Sequence, residues 1–302
     1  MTAMEMDAAS SRPHGGRAGG QGGVGRPPRV DHVHCLDCIE GLLRLPAGSV
    51  DVIVTSPPYN IGKDYSRYDD SRPRDEYLSW MGSVFAECRR VLRDDGSFFL
   101  NVGGKPSDPW VPLDLAQRAR EHFHLQNTII WVKSITIPRA SVGRAAGLRA
   151  DLAVGHYKPV NSERYLSGCH EHVFHLTKGG ASRLDKRAVG VPYSDKSNVR
   201  RWRSGGLDIR DRGNVWFIPY ETIQSSRGHP TVYPVGLPEM CIRLHGARPG
   251  TVVLDPFMGT GSTALACVRL GVRYIGFEVD PAYVRMARAR IARTHRAGPG
   301  GR

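Results

Sequence analysis

The chain has 302 residues, 40% of them hydrophobic and six of them cysteine, with a formal charge of +13. A chain this long buries a substantial core as one large or two modest domains, while the lack of an apolar run near the roughly 18 residues of a membrane span, of a signal-peptide core and of a dense cysteine framework argues for a cytoplasmic protein with reduced thiols and no membrane partner. The positive charge calls for an acidic partner, nucleic acid first.

Residues 1–29, rich in Gly, Arg, Pro and Ser without apolar periodicity, are expected to be a disordered tail. Val30 to Leu36 alternates as a strand ending at Asp37-Cys38. Cys35-x-x-Cys38 has only Cys169, His170, His172 and His175 as a complement, a spacing too irregular for structural zinc, so no metal is expected.

A buried-type strand then stops abruptly at Ser56-Pro57-Pro58-Tyr59. Two successive prolines cannot donate ladder hydrogen bonds, so the chain must leave the sheet there. In an open α/β sheet ligands bind at the carboxyl ends of strands. The carbonyls of Ser56 and Pro57 are free of the ladder and lie beside the flat ring of Tyr59, an arrangement suited to a planar group with an exocyclic NH2, as in a nucleobase. Taken alone, the same residues also describe a structural Pro-Pro turn with a core tyrosine.

Asn60 to Pro73 reads as a polar and aromatic loop over that site. Tyr77, Trp80, Met81, Val84, Phe85, Cys88, Val91 and Leu92 fall at helical spacing and are expected in the core. Asp94-Asp95-Gly96 predicts a turn into a strand over Ser97 to Val102, Leu113 to Phe123 a helix, and Asn127 to Lys133 and His170 to Thr177 two further strands. Strands alternating with helices predict a mostly parallel sheet covered on both faces. Two segments exceed what such a sheet needs. Residues 132–165 hold six Lys/Arg against two Asp/Glu and residues 179–228 ten against five, so they carry most of the net charge. Segregated positive charge suits a phosphate-facing surface; Arg200, Arg201 and Arg203 would contact phosphate beside Trp202 as an aromatic wedge, against the plainer reading of a solvated basic loop.

Gly228 to Glu239 leads into a helix that ends near Gly246. Thr251 to Ala266 then reads as strand, glycine loop and helix start, with Gly259 and Gly261 allowing close backbone approach to a ligand. About twenty residues further on, a strand over Tyr274 to Val279 ends at Glu278, an offset at which an acid binds ribose hydroxyls. The third glycine of a dinucleotide fingerprint is replaced by Ala264, and no Lys-Ser/Thr phosphate loop occurs. This favours a nucleoside cofactor without a pyrophosphate. Asp280-Pro281 caps a final helix bearing Val284, Ala287 and Ile291 on one face, and His295 to Arg302 forms a tail.

Together, Thr55-Ser-Pro-Pro-Tyr59 and Asp255-Pro-Phe-Met-Gly-Thr-Gly261 resemble the two signature motifs of the exocyclic-amino DNA methyltransferases that use S-adenosylmethionine, and their order resembles the circularly permuted beta group. The resemblance spans residues 30 to 294. It implies a doubly wound, mostly parallel, seven-stranded α/β sheet, with a catalytic half (30–178), a target-recognition region (179–228) and a cofactor-binding half (229–294), in which the strands ending at Thr55 and Asp255 are neighbours. Ser56, Pro57, Pro58 and Tyr59 would be catalytic. Asp37 (against the adenine), Asp255, Pro256, Phe257, Gly259, Gly261 and Glu278 would bind S-adenosyl-L-methionine. Ser56, together with Tyr233 where many members carry a lysine, resembles the enzymes acting on cytosine N4, with adenine N6 as the alternative. Double-stranded DNA is the implied partner, with a cognate restriction endonuclease and a homodimer also raised. A methyltransferase of RNA or of a protein glutamine, and a noncatalytic DNA-binding protein with a relic cofactor site, are the readings from other classes.

Overall fold

The computed structural model describes residues 26–142, 148–155, 160–199, 206–219 and 232–297. In chain order the elements are β1 (His32–Cys35), α1 (Cys38–Leu43), β2 (Val50–Thr55), α2 (Arg74–Val91), β3 (Leu92–Val102), α3 (Val111–Ala119), β4 (His124–Val132), β5 (Ser134–Ile137), β6 (Leu152–Gly155), β7 (His170–Thr177), β8 (Val215–Phe217), α4 (Gly236–His245), β9 (Val252–Asp255), α5 (Ser262–Leu270), β10 (Arg273–Glu278) and α6 (Pro281–Ala297). Among the described residues no helix is long and apolar enough to cross a membrane.

One sheet runs in the order β1-β10-β9-β2-β3-β7-β4-β8. Only β7 is antiparallel to its neighbours, so the mostly parallel α/β architecture expected from the alternation of elements is present. Its central strands are apolar on both faces, as burial under helices on both sides demands. Along β2, Val52 and Val54 enter the core shared with α4, α5 and α6, whereas Val50 and Ile53 enter the core shared with α1, α2 and α3. The helices formed before and after the inserted segments therefore cover opposite faces, and the winding reverses between β2 and β9.

The sheet has eight strands, one more than the expected seven. The addition is β8, from inside the segment read as an insertion, and it pairs with β4 so that Trp216 lies in register with Trp131. Both indoles are buried, their N–H groups donating to the carbonyls of Gly213 and Ile218 respectively. Burying two tryptophans explains why a three-residue strand holds the sheet edge. The Asp94-Asp95-Gly96 stretch is a different matter. It lies within β3, where the register with β2 shifts between Val50 and Val52, a bulge where a turn was expected.

On the α4 side of the sheet sits a directional polar chain. Asn127 Nδ2 donates to His175 Nδ1 at 3.0 Å, which leaves the ring proton on Nε2 to reach Ser97 Oγ at 3.1 Å; Ser97 then donates to His245 Nδ1 at 3.0 Å. Burial holds the His175 pKa down at about 4, with His245 adding to the effect. Because the unfolded histidine binds its proton first, stability falls as pH drops from about 6.5 towards 4, by about 3 kcal/mol in all. The urea midpoint of the wild type should fall over that interval and that of His175→Gln should fall less; equal slopes would remove His175 from the account.

Candidate active site

The reversal of winding brings together two residues 200 positions apart. Ile53 lies in register with Leu254, and at the ends of their strands Thr55 Oγ1 donates to Asp255 Oδ1 at 2.5 Å. Both side chains are buried. Asp255 also accepts from the Phe257 N–H at 3.0 Å, from Tyr233 Oη at 2.9 Å and from Thr263 Oγ1 at 2.6 Å. Burial raises its pKa, and these donors oppose the rise. A carboxylate supplied with four protein donors is spent on holding the Pro256–Gly261 loop, so Asp255 shapes this side of the cleft from beneath. Tyr233 is part of that support: its carbonyl also accepts from Ser262 Oγ at 2.9 Å.

Both glycines of the loop have positive φ, +52° at Gly259. Gly261 has φ +90°, and a Cβ there would lie 3.0 Å from the Cβ of Ala287 on α6. Its requirement is therefore the turn and the packing of α6, rather than ligand approach alone. The Gly259 N–H donates to Glu278 Oε2 at 2.8 Å, and the Asp280 N–H to Oε1 at 2.9 Å. Burial raises the Glu278 pKa. Asp37 sits at the end of the adjacent strand, since Leu36 N donates to the Glu278 carbonyl at 3.1 Å. Its Oδ1 caps α1 by accepting from Ile39 and Glu40 N–H groups.

These residues share a cleft with the Ser-Pro-Pro-Tyr segment. Asp37, Pro256, Phe257, Gly259 and Glu278 line one part and Ser56, Pro57, Pro58 and Tyr59 the other. The loop expected over the site is there, and Asp70 organises it. This buried carboxylate accepts from the N–H groups of Asn60 at 2.8 Å, Ile61 at 3.2 Å and Lys63 at 2.9 Å, while Ser66 Oγ hydrogen-bonds Asp280 beyond the end of β10. Trp80 packs against the core but is only partly buried there. It belongs to the helical stripe read as core, yet it forms a cleft wall between Tyr68 and Phe257, with ring centroids 5.5 and 5.6 Å away.

Pro58 is fixed by Tyr77, whose hydroxyl donates to its carbonyl at 2.6 Å. Ser56 Oγ lies 2.7 Å from Tyr59 Oη, which donates to Glu171 Oε2 at 3.0 Å. Asn101 Nδ2 donates to that same carboxylate oxygen at 2.8 Å and to Tyr59 Oη at 2.9 Å. Lys133 Nζ pairs with Glu171 Oε1 at 2.9 Å. Burial and the Glu171 charge push the Tyr59 pKa well up, so its phenol keeps its proton. The sequence reading did not single out Asn101, Lys133 or Glu171. Their one available signal was polarity at the cleft ends of apolar strands, in Asn101 on β3, Glu171 on β7 and Lys133 just past β4.

Arg200, Arg201, Trp202 and Arg203, read as DNA contacts, lie outside the described residues. Within the described part of the same segment, Lys186 pairs with Asp211 and Lys196 with Asp208, so some of its positive charge is spent internally. Among the described residues no group of three His, Cys, Asp or Glu is arranged to hold a metal ion. The cleft fits a nucleoside cofactor without a pyrophosphate: Glu278 offers carboxylate acceptors at a strand end, Phe257 an aromatic surface, and Lys63 is the one basic lining residue among those described.

Comparison with known proteins agrees with this chemistry. A family model for N6 and N4 methyltransferases, described as DNA methylase, matches residues 50–289. The type II methyltransferase M.BglII of Bacillus subtilis is 30% identical over 272 residues, covering 85% of this chain and 68% of the relative. The DNA adenine methyltransferase YhdJ of Escherichia coli K12 is 27% identical, covering 84% and 80%. The chain also resembles TTHA0409 of Thermus thermophilus, described as a putative DNA modification methylase and solved in complex with S-adenosyl-L-methionine. That similarity has a TM-score of 0.56 and 27% identity over 87% of this chain and 93% of the other.

The division of labour between the two motifs is testable. Asp255→Ala should abolish S-adenosylmethionine binding in equilibrium dialysis, because the loop loses its central acceptor. Tyr59→Ala and Ser56→Ala should bind the cofactor within about threefold of wild type and lose turnover by about a hundredfold or more. Unchanged turnover in Tyr59→Ala would remove the Ser-Pro-Pro-Tyr segment from the active site.

Proposed function

This chain belongs to the N6/N4 DNA methylase family, and we propose that, as an S-adenosylmethionine-dependent DNA methyltransferase, it modifies the N4 amine of a cytosine extruded from duplex DNA. Ser56 ahead of Pro-Pro-Tyr, with its hydroxyl in the cleft beside the Asp255-supported loop, carries this reading. A neutral hydroxyl and the Pro57 carbonyl would accept the two N–H bonds of the amine and aim its lone pair, while the ring of Tyr59 stacks on the base. Extrusion is required because the reacting nitrogen is out of reach inside the duplex.

S-adenosylmethionine, when bound, supplies the methyl group. Asp37, Phe257, Gly259 and Glu278 would hold it, with Pro256 and Gly261 shaping the loop that Asp255 supports. The protein's contribution is in-line positioning, which can account for much of the rate; no cysteine nucleophile is required. Adenine N6 is the second reading, favoured by the named activity of the Escherichia coli relative. Ser56 and Tyr233 favour cytosine.

Residues 179–228 would select the DNA sequence, with Arg200, Arg201 and Arg203 on phosphates and Trp202 beside them. A cytoplasmic location accompanies a DNA substrate, and a type II relative makes a restriction endonuclease of matching sequence specificity a natural partner.

Nucleoside mass spectrometry of DNA from a methylation-free host expressing the protein tests the proposal. N4-methylcytosine is expected with the wild type and should be absent with Ser56→Ala. N6-methyladenine would overturn the choice of base, and neither mark from protein that binds S-adenosylmethionine would overturn the proposal as a whole.

A further inference from the structure

The hydrogen bonds around Ser56 have a direction. An ionised carboxylate can only accept, so Tyr59 must give its single proton to Glu171 Oε2 at 3.0 Å. The 2.7 Å contact between Ser56 and Tyr59 must then be donated by Ser56. With its proton committed, Ser56 Oγ can offer the cleft only a lone pair. The same rule fixes the Asn101 amide, whose Nδ2 has to face Glu171, at 2.8 Å.

The carboxylate that imposes this direction is built into place. Lys133 Nζ holds Oε1 at 2.9 Å, and the Glu171 and Lys133 side chains are only 14% and 18% exposed. A Cβ on Gly103 would come within 2.9 Å of the Glu171 carboxyl carbon, so the glycine leaves the room that Glu171 occupies. Three elements meet there, each contributing one polar group to an otherwise apolar wall: Asn101 from β3, Glu171 from β7 and Lys133 after β4. A carboxylate this sheltered is costly unless it is paired and hydrogen-bonded, as this one is.

We propose that Glu171 is a positioning residue for methyl transfer, which orders the Ser56–Tyr59 hydroxyls into a chain that accepts the target amine and carries its surplus proton away. The proposal rests on the reading of the site as acting on an exocyclic amine. An amine that has given its lone pair to a methyl group is cationic and must lose a proton. Its N–H bond breaks with the electron pair returning to nitrogen, and the proton passes to Ser56 Oγ. The Ser56 proton passes to Tyr59 and the Tyr59 proton to Glu171, which ends as the neutral acid beside Lys133 and loses that proton to solvent when the product leaves. Each oxygen in the chain gains one proton and gives one up, so only Glu171 changes charge.

Glu171→Gln tests this because an amide cannot satisfy both sides. If its oxygen faces Lys133, its NH2 faces Tyr59 and Asn101, and the chain reverses so that Ser56 points a proton at the amine. If its oxygen faces Tyr59, its NH2 opposes the lysine. Single-turnover methyl transfer to DNA would be measured for wild type, Glu171→Gln, Tyr59→Phe and the double variant, alongside S-adenosylmethionine and DNA affinities. Each single variant should slow the step about thirtyfold or more with both affinities within about threefold, and the double variant should be no more than about twofold slower than the slower single one. Multiplied effects, or a wild-type rate in Glu171→Gln, would overturn the proposal. Should Glu171→Gln fail to fold, as loss of cofactor binding would reveal, a wild-type rate in Tyr59→Phe overturns it equally. Absence of transfer by the wild type would instead refute the underlying reading, and this proposal with it.

Discussion

The hydrogen bond from Thr55 to Asp255 is the constraint on which the site depends. It joins the ends of two parallel strands that belong to opposite halves of the chain, one leading into Ser-Pro-Pro-Tyr and the other into the glycine loop. Sheet geometry alone would bring the strands together. The hydrogen bond fixes how the two turns leave the sheet, and thus where a cofactor and a base would face each other. Because Asp255 is buried, losing one donor would leave part of a charged group unsatisfied, at a cost of about 1–3 kcal/mol. Tyr233 and Thr263 share the load, so α5 and the segment leading into α4 are anchored to the same carboxylate.

From that point the cleft grows in two chemically different directions. Towards β10 and β1, Asp37 and Glu278 line the cleft together with Phe257, and Glu278 ties the glycine loop to the next strand. Towards β3, β7 and β4, hydroxyls, an amide and an ion pair form a connected network around Ser56 and Tyr59. The loop at 60–73 spans both, bound through Asp70 to itself and through Ser66 to Asp280. The carboxylates of Asp255 and Glu278 hold the first side, and a carboxylate paired with a lysine, Glu171 with Lys133, anchors the second.

Much of this was legible in the sequence because it is written in contiguous residues. Two prolines after an apolar run end a strand wherever they occur, and a glycine loop between a strand and a helix pattern declares itself. The neighbouring of Thr55 and Asp255 followed from the resemblance to a permuted family, not from periodicity. Other features had no contiguous signal. Trp80 fits the helical stripe of α2 as well as any core residue, and only the packing of Phe257 and Tyr68 reveals that it faces a cleft. Asn101, Lys133 and Glu171 meet because β3, β7 and β4 are adjacent, and that order is not printed in spacing. The short β8 owes its place to Trp131 and Trp216, a tertiary contact that overrides the loop-like composition around it.

The most direct test of the account is a crystal structure with S-adenosylhomocysteine, the product that methyl transfer would leave. The ribose hydroxyls are expected at Glu278 and the sulfur at the junction of the Asp255 loop with Ser56 and Tyr59. A ligand bound away from that junction, or with its sulfur turned from Ser56, would contradict the claim that the Thr55–Asp255 contact unites two half-sites into one catalytic cleft.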